Sequence, residues 1–190
     1  SPSSVKKRKR TPEPAPTPTT LTTTTALPTL DTVDPHATTL AYVARCDAFK
    51  FAPDPAVMAC LETKWHVMAL SPNMVVEGAL LPLMDVLSVP ASNHVKVLKA
   101  VPSTALRHHR NDIGSGDVDA RCLAQMMRHN TSIEELDISY LGLGASGVRE
   151  VASFVATHPA LKRLVMAHNS GGREAYGHLA EALRTSPRLE

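Results

Sequence analysis

A periodic pattern of apolar residues constrains this chain more than any other feature of its sequence. Ile133, Leu161 and Leu189 are equally spaced along the chain, and the residues between them keep the same register. The matching positions are Leu136 with Leu164, Ile138 with Met166, Val151 with Leu179, Val155 with Leu183, and Pro159 with Pro187. A fixed period of roughly 20–50 residues is typical of repeat proteins, in which each unit packs on its neighbours.

Each repeat combines a strand pattern with a helix pattern. Leu136 and Ile138 alternate with polar residues, which predicts a short strand with one buried face. The apolar residues that follow recur at helical spacing, and a proline then stands where the helix must end. Single units of this kind cannot bury their apolar faces alone. The sequence therefore predicts an α/β fold, a leucine-rich repeat solenoid (α/β horseshoe) with parallel strands inside the curve and helices outside.

Leu161, Leu164, Met166 and Asn169 follow the pattern L-x-x-L-x-L-x-x-N and resemble the ribonuclease-inhibitor class of leucine-rich repeats. The preceding copy departs from the pattern, because Leu141 stands where the class has asparagine. The resemblance implies protein binding and no catalysis by the fold itself. The segment from Tyr42 to Leu61 is similar to the start of some centrosomal and axonemal members, which implies a cytoskeletal, ciliary or flagellar setting.

Composition divides the chain into three predicted parts. Residues 1–33 are basic and rich in proline and threonine, which predicts a disordered tail. Asp34-Pro35 and Asp54-Pro55 are helix-start signals, so residues 34–64 are predicted to form a helical N-terminal cap. The repeats occupy residues 65–190, with openings at Trp65, Val95, Ile133, Leu161 and Leu189. The longer spacing from Val95 to Ile133 predicts an insertion at 102–110.

Charge and cysteine content narrow the functional classes. Residues 1–10 hold five basic and no acidic side chains, so 15 basic and 18 acidic groups remain in the rest of the chain. That balance argues against a nucleic-acid-binding surface on the folded part. No apolar run is long enough to span a membrane. The spacing of Cys46, Cys60 and Cys122 suggests neither a disulfide nor a metal site. We predict that the three are buried free thiols in a reducing compartment.

Three regions are candidate binding sites. Strand residues that alternate with buried ones are expected to form a concave partner-binding face, with Tyr140 and Arg163 of the types enriched in binding hot spots. The candidates on this face are Lys99, Glu135, Asp137, Tyr140, Arg163 and His168. A second protein contact is expected at the C-terminal end of the repeats, where either the natural chain continues or a partner covers the apolar edge.

The third region is the basic run Lys6, Lys7, Arg8, Lys9 and Arg10. Three interpretations remain open for it: a nuclear localisation signal, a contact with an acidic surface such as the tails of tubulin, or a solvated tail.

No motif predicts catalysis, a metal or a cofactor. The chain has no P-loop, no G-x-G-x-x-G and no G-x-S-x-G, and His108-His109 lacks metal-ligand spacing. The sequence thus predicts a non-enzymatic interaction module, a scaffold or assembly subunit in the cytoplasm or on the cytoskeleton. Two alternatives are a regulator of a small GTPase or other enzyme, and a nuclear interaction protein targeted by the basic run.

Overall fold

The computed structural model describes residues 34–71, 78, 80–100 and 116–189. Within these residues the chain forms six α-helices, one 3₁₀-helix (Pro90–Ser92) and four strands. The helices are α1 (Pro35–Phe49), α2 (Pro55–Thr63), α3 (Leu83–Leu87), α4 (Asp117–Met127), α5 (Ala145–Val155) and α6 (Gly172–Thr185). The strands are β1 (Val67–Ala69), β2 (Val97–Lys99), β3 (Glu135–Asp137) and β4 (Arg163–Val165). The tail of residues 1–33 and the predicted insertion at 102–110 lie outside the described residues.

The two N-terminal helices begin where their capping residues predict. The side chain of Asp34 accepts a hydrogen bond from the backbone N–H of His36 at 2.9 Å, and that of Asp54 accepts one from Ala56 at 2.8 Å. A proline follows each aspartate, where its fixed φ suits the first helical turn. Both helix starts are therefore confirmed.

The four strands form one parallel sheet in the order β1-β2-β3-β4. One line of paired residues crosses it: Met68 pairs with Leu98, Leu98 with Leu136, and Leu136 with Leu164. Consecutive parallel strands that lie side by side need crossovers of one hand, so the crossover helices share one face of the sheet. In agreement, α4 packs against α3 and α5, and α5 packs against α6.

The core lies between the sheet and these helices. From the sheet it receives Met68, Leu98 and Leu136, none more than 1% exposed. From the helices it receives Leu87, Leu123 and Val151, which are also buried. Burying each of these side chains contributes roughly 1.5–3 kcal/mol to the stability of the fold. The sheet and the helix layer therefore stabilise each other.

The prediction of a leucine-rich repeat solenoid is wrong. The described residues form a mixed α/β fold with six helices and one small four-stranded parallel sheet, and no solenoid is seen. The described parts of the connections are unequal: between β1 and β2 they form the five-residue α3 and a 3₁₀ turn, whereas between β3 and β4 they form the eleven-residue α5. A repeating pattern of a strand followed by a helix indicates only local βα units. Because such units occur in many parallel-sheet architectures, the pattern does not identify a solenoid.

Three apolar residues of the predicted cap and repeats lie on the surface. Trp65, the first predicted repeat opening, is 61% exposed; Leu40 is 55% exposed and Leu183 is 39% exposed. In α1 the buried side is formed by Thr38, Thr39, Tyr42 and Cys46. The Tyr42 hydroxyl accepts a hydrogen bond from the Asp54 N–H, so a polar contact joins α1 to the start of α2.

Among the described residues, no helix is both long enough and apolar enough to cross a bilayer.

Candidate functional site

One face of the parallel sheet has no described element packed on it. We call it the open sheet face and define it by the strand residues that point away from the helices: Val67, Ala69, Val97, Lys99, Glu135, Asp137, Arg163 and Val165. Parallel sheets are normally buried on both faces. An uncovered parallel face is therefore an unusual surface, and it is the candidate functional site.

The β1 side of the open sheet face is apolar. Val67 is 46% exposed, Ala69 is exposed, and Trp65 precedes the strand in the same alternation. Lys64, Trp65, His66 and Val67 line a wide depression beside it. Covering a large, solvent-exposed aromatic ring at a sheet edge with a second surface is favourable, because apolar area is removed from water.

The β3 side of the face is charged, with acidic residues in the middle and basic residues on both flanks. Lys162 Nζ lies 2.6 Å from Glu134 Oε2, and Arg163 Nη1 lies 3.9 Å from Glu135 Oε2. The hydrogen bond and the positive charge of Lys162 lower the pKa of the Glu134 carboxyl. Asp137 takes no cation within ion-pair distance among the described residues; its Oδ1 accepts the Ser139 N–H at 3.1 Å.

A shallow groove of about 80 Å³ lies at the centre of this charged side. Its lining includes Lys99 from β2, Glu135 and Asp137 from β3, and Arg163 and Val165 from β4. The groove thus brings together four of the six residues that the sequence assigned to a binding face. It is too small for a drug-sized molecule and suits single side chains of a partner.

The other two predicted residues form an aromatic pair just beyond the strands. The rings of Tyr140 and His168 are stacked, with centroids 4.1 Å apart and an interplanar angle of 14°. Both residues have left-handed backbones, with φ of 60° and 57°. This conformation costs a residue with a Cβ roughly 1–2 kcal/mol. The backbone is held by hydrogen bonds from Tyr140 N–H to Ala167 O (2.9 Å) and from Ala167 N–H to Ser139 Oγ (3.2 Å).

Sequence reasoning placed some of these residues correctly and missed others. Lys99, Glu135, Asp137 and Arg163 lie in strands on the open sheet face, as alternation predicts. Tyr140 and His168 were expected in strands as well, but they lie in the turns that follow β3 and β4. Trp65 was missed as a surface residue, although it has the same parity as Val67. The basic run Lys6–Arg10 lies outside the described residues.

The three cysteines are buried and free, which confirms that part of the prediction. Burial raises the pKa of the Cys60 thiol to about 11, and it also raises the pKa values of Cys46 and Cys122. A thiol is nucleophilic as its thiolate, so these groups are inert in the folded state. Within the described residues, no three histidine, cysteine or acidic side chains lie close enough to hold a metal ion.

Comparison with models of known protein families gives no match. No functionally characterised protein matches the sequence either. The resemblance to the ribonuclease-inhibitor class therefore stays a prediction, and the function has to be argued from the surface itself.

Proposed function

We propose that this chain is a non-enzymatic protein-interaction module and that its binding surface is the open sheet face. The observation that supports the proposal is the parallel sheet itself, which has helices on one face and no described element packed on the other. A partner laid on this face would cover the apolar β1 side and meet the charged groove of β3 and β4.

The two sides of the face have different roles in this proposal. Trp65 and Val67 supply apolar area, which drives association without direction. Asp137, Arg163 and the Tyr140–His168 pair supply directional contacts, which select the partner and fix its position. The proposed role is that of a scaffold or assembly subunit in the cytoplasm or on the cytoskeleton.

The test is a crosslinking pull-down from native cell extract with the intact chain as bait. Two matched variants separate the surfaces: Arg163→Ala removes an exposed arginine from the open sheet face, and Arg149→Ala removes one from the exposed side of α5. We expect a stable partner that crosslinks near Lys99 and Lys162, is lost with Arg163→Ala and is kept with Arg149→Ala.

Fluorescence gives a second readout. Trp65 is the only tryptophan in the sequence. Because it is exposed beside the face, its emission should shift to the blue when the purified partner binds. Equal capture by both arginine variants, with unchanged Trp65 emission, would refute the assignment of this surface. Recovery of a GTPase whose hydrolysis rate the chain changes would support the alternative of an enzyme regulator.

A further inference from the structure

The outer edge of β4 carries no strand among the described residues. Leu136 and Ile138 of the β3 region are at most 1% exposed, whereas Leu164 and Met166, which hold the equivalent positions in the β4 region, are only half-buried. Arg163 donates its N–H to Glu134, and Val165 accepts one from Ile138, so both direct their backbone groups towards β3. By alternation, the N–H and C=O of Leu164 point to the open edge.

Charge alternates from strand to strand up to this edge. Lys96, Glu134 and Lys162 hold equivalent positions: Lys96 O accepts from Glu134 N–H at 2.7 Å, and Glu134 O accepts from Lys162 N–H at 2.8 Å. Glu135 and Arg163 are opposite in the register. Among the described residues, Lys162 and Arg163 have acidic neighbours on the β3 side alone. A strand added beside β4 would meet two cations at its start, and acidic residues suit those positions.

The aromatic stack extends in the same direction. Tyr140 follows β3 and His168 follows β4, so the ring face of His168 that Tyr140 does not cover lies on the side of the open edge. His168 is exposed. A planar side chain carried by an added strand would extend the stack by one ring.

We propose that the open edge of β4 binds an extended acidic segment of a partner protein, which adds to the sheet as a fifth parallel strand. The segment would place two acidic residues beside Lys162 and Arg163, then apolar residues beside Leu164 and Met166. Backbone hydrogen bonds supply affinity in such strand addition, and the acidic pair supplies specificity. The edge shares Arg163 with the open sheet face, but Lys162 and the backbone groups of Leu164 lie outside that face. The proposal therefore does not depend on which partner covers the face.

The probe is a peptide with the required pattern, and β3 itself provides it. An acetylated and amidated peptide with the sequence of residues 132–139 carries two consecutive glutamates between apolar residues. The control peptide has lysine in place of both glutamates. Each is titrated into the ¹⁵N-labelled full chain. We expect saturable amide shifts at residues 162–167, with the lysine peptide binding about tenfold more weakly because like charges face each other. Equal affinity of the two peptides, or shifts confined to other elements, would overturn the proposal.

Variants of the edge sharpen the test. Lys162→Glu with Arg163→Glu should reverse the preference between the peptides. Because Lys162 pairs with Glu134, this reversal can weaken the fold; Lys162→Gln with Arg163→Gln removes the charges without repulsion and should abolish the preference. Trp65 lies outside the edge, so Trp65→Ser should leave peptide binding unchanged. Failure of the edge proposal can therefore be distinguished from failure of the assignment of the open sheet face. A dimer in sedimentation that the glutamine substitutions weaken, together with no peptide binding, would assign the edge to a second copy and contradict the proposal.

Discussion

Replacing His158 tests how a buried imidazole holds the turn before β4. His158 is 2% exposed, and its Nδ1 accepts hydrogen bonds from the backbone N–H groups of Leu161 (3.0 Å) and Ala160 (3.3 Å). Asn130 holds the equivalent turn before β3, where its Oδ1 accepts from Ile133 at 2.9 Å and from Ser132 at 2.8 Å. Asparagine is therefore the natural substitute at position 158.

The magnitude follows from these contacts. His158→Ala leaves buried backbone donors without an acceptor and opens a cavity, so we expect the free energy of unfolding to fall by about 2–4 kcal/mol. His158→Asn restores an acceptor and should recover about half of that loss.

The same residue makes stability depend on pH. Burial lowers the pKa of His158 in the folded state, whereas the unfolded side chain titrates near its ordinary value of about 6.5. The unfolded chain thus binds a proton that the folded chain does not. The contribution of His158 is complete above the unfolded pKa and is lost as pH falls below it, by up to about 1.4 kcal/mol per pH unit.

Urea unfolding followed by circular dichroism, at several pH values from 5 to 8, measures both effects. The wild type should lose stability relative to His158→Asn as the pH falls, because asparagine has no proton to bind. The reasoning fails if His158→Asn and His158→Ala are equally unstable at pH 8, or if His158→Asn and the wild type lose stability in parallel below pH 6.5.

Three further predictions concern the fold and its surface. Gly116→Ala should destabilise the chain by about 2 kcal/mol or more in urea unfolding, because the added Cβ would collide with the Leu141 carbonyl oxygen. Gly177→Ala, in open space on α6, should stabilise the chain by roughly 0.5–1 kcal/mol. Similar effects of the two substitutions would contradict the packing around Gly116. Ellman's reagent should react with the thiols of Cys46, Cys60 and Cys122 far more slowly in the native chain than in the urea-unfolded chain, because burial raises their pKa values. Rapid labelling of the native chain would contradict this prediction. Once a partner is in hand, Tyr140→Ala and Arg163→Ala should each weaken binding by roughly 1–2 kcal/mol in calorimetry, with Arg149→Ala unchanged, and full binding by the double variant would exclude this surface.

Alternation and capping explain which parts of the site could be predicted. Asp34 and Asp54 mark their helices because a capping bond depends on residues only two positions away. Glu135, Asp137 and Arg163 were identified as surface residues because side chains alternate along any strand, whatever packs on it. The stack of Tyr140 on His168 was not predictable, since it requires two turns that are distant in sequence to adopt the same left-handed backbone side by side.

The sequence by itself determined the local units: short strands with Leu136 or Leu164 at their centre, helices after them, and a period that sets which residues pair across strands. These features depend on near neighbours and on chemical type. The tertiary structure alone decided the architecture, a small parallel sheet instead of a solenoid, and the exposure of particular side chains. Trp65 lies in water and Met68 in the core because burial depends on whether a neighbouring element covers the residue, and periodicity along one chain does not contain that information.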